Sequence, residues 1–260
     1  MHALTAVVLG IVEGVTEFLP ISSTGHLILA SSLLGVAQDD FQKSFEIIIQ
    51  LGAIASVVVL YWRSFLKVEI LKRLVVAFIP TGIIGLLLYK VVKAYFLGND
   101  ALVLWMLFGG GIALIVFELW HARKGAHVTG QAVGLEEMSY PQAAVIGLFQ
   151  SLAIVPGVSR SAASIVGGLI FGMRRVAIVE FSFLLAVPTM LAASGLDIAR
   201  NHAAFSLGGV GILGVGFVTS AVVAFFSIKF LLSFVRTHTF VPFGIYRILA
   251  ALVFWFILFH

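Results

Sequence analysis

EGVTEFLPISSTGH (residues 13–26) and PGVSRSAAS (residues 156–164) are where ionisable and hydroxyl side chains gather inside an otherwise apolar chain. Glu13, Glu17, His26 and Arg160 stand in stretches whose flanks would dissolve in a bilayer. A charged Asp, Lys or Arg at bilayer depth costs roughly 2.5–3.5 kcal/mol on insertion scales, so such groups mark function there. The two stretches read as the active site, and the rest of the chain as the vessel around it. Each also carries a Pro in the middle of an apolar run, and these interruptions decide the architecture.

The 260 residues are 61% hydrophobic and 11% charged, where a soluble domain averages about 45–50% and about 25%. Mean hydropathy is +1.13, and the class is a polytopic membrane protein. The net charge of +4 does not point to nucleic acid, because the basic residues sit in short loops between apolar runs, where they orient the chain. The absence of cysteine excludes disulfides, thiolate catalysis and Cys-ligated metals. The N-terminal run lacks a basic leader and is interrupted by Glu13, so it is not read as a cleavable signal.

A membrane span needs about 20 mostly apolar residues. Six runs qualify, at 44–62, 73–92, 101–120, 176–196, 207–228 and 241–259. Regions 3–36 and 142–172 are cut by Pro and a polar cluster, which predicts two re-entrant helix pairs, tolerated where broken backbone is buried in protein or lines water. The order is broken pair, three spans, broken pair, three spans. Gly10-x-x-Glu13 … Pro20-x-x-Ser23 is matched by Gly147-x-x-Gln150 … Pro156-x-x-Ser159, and Phe45-Glu46 by Glu180-Phe181. The predicted fold is therefore all-α integral membrane, with two inverted-topology repeats whose re-entrant tips meet near mid-membrane. The first repeat is 1–122, the linker 123–139 and the second repeat 140–260. Lys and Arg fall ten on one side and four on the other, with Arg160 and Arg247 inside membrane segments. That bias puts the first side in the cytoplasm and both termini outside.

Glu13 and Glu17, four residues apart, share one face of the first short helix. Gly10 and Gly14 lie on much the same face and allow another helix to approach closely. Pro20 ends that helix, and Ser22 or Ser23 caps the next, which begins near Thr24 and carries His26 in its first turn. Ser159 caps the second one, followed by Arg160 and Ser161. Two helix N-termini, a guanidinium and several hydroxyls describe a seat for a highly charged anion. Two glutamates beside it call for an offsetting divalent cation such as Mg²⁺ or Ca²⁺, or for one glutamate serving as an acid. Ser22 or Ser23 with His26 and a carboxylate offers a nucleophile; Ser attack assisted by His26 and direct attack by His26 both remain open.

At these residues the chain resembles the undecaprenyl-diphosphatase family, bacterial membrane enzymes also associated with bacitracin resistance. The resemblance covers nearly the whole chain and rests on EGVTEFLPISSTGH, FEIIIQLGAI (45–54), PGVSRSAAS, EFSFLLAVP (180–188) and PFGIYR (242–247). It implies hydrolysis of undecaprenyl diphosphate to undecaprenyl phosphate and inorganic phosphate in the bacterial inner membrane, recycling the lipid carrier of cell-wall synthesis. It also implies a divalent-metal requirement and a site opening to the outer face. By position, Glu13 and Glu17 match the family's acidic pair, with metal and acid–base roles, and Ser23 and His26 its nucleophile and proton-transfer positions. Arg160, flanked by Ser159 and Ser161, matches the diphosphate clamp, with Ser22, Thr24 and Ser164 as further phosphate contacts. The family's SRSGAT reads SRSAAS here, with Ala162 for Gly and Ser164 for Thr. The expected partners are the polyprenyl diphosphate and membrane lipids, no nucleic acid; a homodimer is compatible with the chain.

Plainer readings stand beside these. Glu13 and Glu17 could pair with buried cations, His26 could be a structural hydrogen-bonder, Arg160 a partner of either glutamate, and Ser159 and Ser161 caps alone. Glu46 and Gln50 could line the cavity or pack. Arg247 is read as a snorkelling or ion-paired residue near the cytoplasmic end of the last span. Gly209-x-Gly211-x-x-Gly214 copies a dinucleotide fingerprint, but in an apolar segment without a preceding strand it is read as helix packing. A rival function is a transporter or flippase for a polyprenyl phosphate, which would need anion binding but no nucleophile. The membrane phosphatases with an SRxxxxxH motif are excluded, because Val166 stands six residues after Arg160.

Overall fold

A computed structural model describes residues 2–37, 39–95, 99–125, 133–200 and 209–259. Of the linker, residues 126–132 lie outside these, as do the side chains of Lys90, Lys93, Lys124 and Arg200. The described chain is helical: α1 Ala3–Thr16, α2 Ser23–Leu33, α3 Asp40–Phe65, α4 Val68–Tyr95, α5 Asp100–Gly125, α6 Tyr140–Ser151, α7 Arg160–Ile170, α8 Arg175–Arg200, α9 Val210–Phe234 and α10 Val241–Phe259. A short 3₁₀ turn, Leu152–Ile154, follows α6. Among the described residues six helices are long and apolar enough to cross a membrane: α3, α4, α5, α8, α9 and α10. They contain the six runs read from hydropathy, apart from 207–209, of which 207 and 208 lie outside the described residues. Their outer faces stay apolar, with Val218, Val222, Phe226 and Phe230 exposed along α9, a surface that lipid covers.

Start signals are local. Asp39 accepts from the Gln42 amide at 2.8 Å ahead of α3, and Ser139 with Gln142 forms a capping box ahead of α6. Prolines sit inside α4 (Pro80) and α8 (Pro188).

α1 and α3 pack on α9, α6 packs on α4, and α5 packs on α10. The α1–α9 and α6–α4 contacts each form at a glycine of the shorter helix. A Cβ on Gly10 would lie 2.9 Å from the Gly216 carbonyl of α9, and one on Gly147 would overlap the Ala77 carbonyl of α4. Gly14 likewise approaches the Ser220 carbonyl. The 209–214 glycines do not pack as expected: Gly211 and Gly214 face open space, and the packing glycine of α9 is Gly216, against Phe45 and Ile49. Gly209 instead starts the helix at φ +79°.

The basic loops converge on one end of the bundle. There Lys67 pairs with Glu136, holding its carboxyl below the usual range, Arg73 donates to the Met138 carbonyl at 2.5 Å, and Arg175 grips the buried Glu118. Glu118 also accepts from the Phe240 amide at 3.0 Å, tying the start of α10 to this end.

Candidate active site

Regular helix geometry brings the acidic pair together. α1 stops at Thr16, four residues before Pro20, and Glu17 is its C-cap, its amide donating to the Glu13 carbonyl at 2.9 Å. The chain then turns over 17–22 and re-enters helix at Ser23. The second tip does the same after 152–158, and the two tips touch: Ser161 Oγ donates to the Leu19 carbonyl at 2.9 Å. Phe18 meets Phe183 edge-on, ring centroids 5.3 Å apart.

Ser22 (φ 73°, ψ 94°) and Ser159 (φ 77°, ψ 111°) are the non-glycine residues with positive φ among the described residues. Such a conformation costs about 1–3 kcal/mol and gathers at active sites. Each directly precedes a short helix, α2 or α7, and Ser22 lies nine residues after Glu13 as Ser159 lies nine after Gln150. Matched on these turns, Ser22 answers to Ser159, whereas matching on the prolines sets Ser23 against Ser159. Ser159 caps as expected, accepting from the Ala162 amide at 3.3 Å, whereas Ser22 makes no side-chain cap.

The last helix holds both strained turns. Tyr246 bonds His26 Nε2 at 2.9 Å, and His26 Nδ1 donates to the Ser22 carbonyl at 2.8 Å. Arg247 donates to the Gly157 and Val158 carbonyls at 2.9 and 3.1 Å, and to Met106 and Leu107 of α5. It is 1% exposed, so it neither snorkels nor pairs with an acid; carbonyl dipoles hold its charge. Gly110 is the gap that lets it through, because a Cβ there would sit 2.7 Å from the Arg247 Cζ. Arg247→Met leaves these carbonyls without donors. It is expected to lower stability by about 3 kcal/mol or more, read as a drop in melting temperature in detergent. An unchanged melting temperature would rule out the buttress.

Between the two halves lies a cavity of about 730 Å³. Glu17, Ser22, Ser23, Thr24, Ser159 and Arg160 form its polar end, and α4 and α8 much of its apolar wall. Ile83 and Leu86 on that wall are 54% and 58% exposed, so the cavity opens at the protein surface there. In the polar end, Ser23 Oγ donates to Glu17 Oε2 at 2.5 Å. Arg160 Nη2 donates to Glu17 Oε1 at 3.1 Å, and Nη1 to the Ser182 carbonyl at 2.7 Å. Arg160 Nε is buried with no acceptor.

The remaining expected residues divide. Glu13 is fully buried behind Glu17, and neither of its carboxylate oxygens meets a hydrogen-bond donor. His26 faces Tyr246 and Ser22 rather than Ser23. Ser161 and Ser164 are spent inside the protein, Ser164 bonding the Arg160 carbonyl and Ser182. Gln50 lines the cavity, while Glu46 accepts from Gln42 at 2.9 Å. Sequence reasoning missed Ser182, Thr81, Gln150 and Thr189. Their signal was available, as lone polar residues in apolar helices, with both threonines directly following an in-helix proline.

A divalent cation finds suitable donors here. Two carboxylate oxygens on Glu13 that meet no donor, beside the Glu17 carboxylate that Arg160 already pairs, are hard oxygen ligands. Among the described residues no group of three or more His, Cys, Asp or Glu converges. A cation bound by two carboxylates would complete its shell with phosphate oxygens and water, as Mg²⁺ commonly does.

Comparison with known proteins decides the family. A model described as bacitracin resistance protein BacA matches residues 6–253. The chain belongs to that family. Among its BacA relatives, the undecaprenyl-diphosphatase of Sulfurihydrogenibium sp. is 51% identical over 255 residues, covering 98% of this chain and 99% of the relative. That of Wolinella succinogenes is 50% identical over 259 residues, 99% of each chain. That of Aquifex aeolicus is 49% identical over 250 residues, 96% of each. The BacA match spans both tips, five of the spanning helices and most of α10.

Proposed function

We propose that the protein hydrolyses undecaprenyl diphosphate to undecaprenyl phosphate and inorganic phosphate, returning the carrier lipid to cell-wall synthesis and lowering sensitivity to bacitracin. The observation that carries this reading is one cavity with a Ser23–Glu17–Arg160 cluster at its polar end and an apolar wall open to the surface. The diphosphate sits against Arg160 and the tips, and the polyprenyl tail leaves along α4 and α8. A pure carrier has no use for a serine hydroxyl bonded to a buried carboxylate.

Ser23 Oγ attacks the terminal phosphorus and passes its proton to Glu17. The bond to the bridging oxygen breaks and lipid phosphate leaves with that electron pair. Water then hydrolyses the phosphoserine, releasing phosphate and restoring the hydroxyl. Arg160 turns its donors to the equatorial oxygens, where charge gathers in the transition state. Glu13 and Glu17 would hold Mg²⁺ or Ca²⁺, which offsets phosphate charge when bound. His26 acts indirectly, holding the Ser22 turn. The two halves are inverted repeats, their helix pairs re-entering from opposite faces. The basic end faces the cytoplasm, both termini lie outside, and the site opens outward.

The test is phosphate release from undecaprenyl diphosphate by the full-length, detergent-solubilised protein, with Mg²⁺ or Ca²⁺ against EDTA. Release with metal, and a loss of at least about a hundredfold with EDTA, is expected. Tight lipid binding without release would instead identify a carrier.

A further inference from the structure

Gln150 is 1% exposed and lines the cavity, and its amide orientation is dictated by its neighbours. Thr81 donates its hydroxyl proton to the Gly147 carbonyl at 2.8 Å, and Thr189 its own to the Leu185 carbonyl at 2.7 Å. With both protons committed, the two hydroxyl oxygens can only accept. They accept from Gln150 Nε2, at 3.1 Å from Thr81 and 3.0 Å from Thr189. Both amide protons are thereby used and the flip is locked. Gln150 Oε1 is left as a fully buried acceptor that meets no donor. Three helices, α4, α6 and α8, combine to hold that one oxygen in place.

A fixed acceptor repels a fully ionised phosphate and welcomes one that carries a proton. We infer that Gln150 is a specificity residue of this cavity, its Oε1 accepting the P–OH hydrogen of a monoprotonated phosphate while Arg160 binds the ionised oxygens. The inference rests on the phosphatase reading and deepens it, since the preferred substrate is the diphosphate whose terminal phosphate keeps one proton. Nothing is transferred in this contact. Among the described residues, the ionisable groups lining the cavity that Gln150 faces are Arg160 from α7, Tyr89 from α4 and Glu17 from the first tip. All three are retained in the variants below, so their titration cancels in the comparison.

The experiment measures KM and kcat for undecaprenyl diphosphate at about pH 6 and about pH 8.5, the lower near the second phosphate ionisation and the upper well above it. The proteins are wild type, Gln150→Leu and Thr81→Val/Thr189→Val. Wild-type KM is expected to rise with pH. In Gln150→Leu, KM at the lower pH should rise about tenfold, the worth of one hydrogen bond to a charged group, and change little at the higher pH, so the profile flattens while kcat holds. The double threonine variant keeps the glutamine but frees its amide to turn, and is expected to flatten the profile in part; it decides the matter where Gln150→Leu does not fold. Parallel KM profiles in wild type and variants, a flat wild-type profile, or a loss confined to kcat would overturn the inference. A wild-type protein that releases no phosphate sinks the phosphatase reading and this inference with it. An active wild type with parallel profiles sinks this inference alone.

Discussion

Arg160→Ala is expected to lower kcat for phosphate release by about a thousandfold. In the resting site the guanidinium is shared between the Glu17 carboxylate at 3.1 Å and the Ser182 carbonyl at 2.7 Å, with Nε held in reserve. Among the described residues no other Lys or Arg lines the cavity, so this is the cation a diphosphate bound there would meet. Alanine removes the main protein source of positive charge where negative charge develops in the transition state. It also leaves Glu17 without its partner at 5% side-chain exposure, and breaking a buried pair this way costs roughly 3–5 kcal/mol of stability. Arg160→Lys separates the two effects. It keeps the charge and loses the planar fork, so folding should recover more fully than kcat. Activity of Arg160→Ala within about threefold of wild type, far short of the range a phosphoryl-transfer arginine commands, would remove Arg160 from the mechanism.

Ser23→Ala and Glu17→Gln are each expected to cost about a thousandfold or more in kcat, and the double variant little beyond the worse single. A nucleophile and its base act as one device, so removing either disables both. The 2.5 Å bond between Ser23 Oγ and Glu17 Oε2 is the geometry of such a pair. In Glu17→Gln the amide can still accept from Ser23, but its NH₂ then confronts Arg160 and it cannot take up the proton. His26→Ala should be milder than Ser23→Ala, because the imidazole reaches the site only through the Ser22 carbonyl. Its loss relaxes a strained turn and removes no reacting group. Kinetics on the three single variants and the double decide this. An active Ser23→Ala beside an inert His26→Ala would transfer the nucleophile to the imidazole, and strictly additive losses would dissolve the Ser23–Glu17 pair.

Much of the site was legible because local rules reach that far. Glu13 and Glu17 had to share a face once the apolar run was helical, and Glu17 at the C-cap preserves that relation. Both prolines marked real interruptions. The likeness of the two turns is obscured at their prolines, because the turns distribute the same number of residues differently around them. Arg247 was misassigned for a different reason. Its place near the end of a span suggests escape to the headgroups, yet the side chain runs inward past Gly110 to carbonyls nearly ninety residues or more away.

The amino-acid order by itself determined the solvent this protein lives in, six spans, two broken helix pairs and the chemistry concentrated there. Each of these follows from hydropathy and helix periodicity within one stretch of chain. Only tertiary structure decided which groups meet. The pairing of Glu17 with Arg160, the Tyr246–Arg247 support for both turns, and the locked amide of Gln150 join residues on helices far apart in sequence. Those contacts depend on how close the helices can pack at Gly10, Gly110 and Gly147, and on where the donors left over by the broken backbone must go.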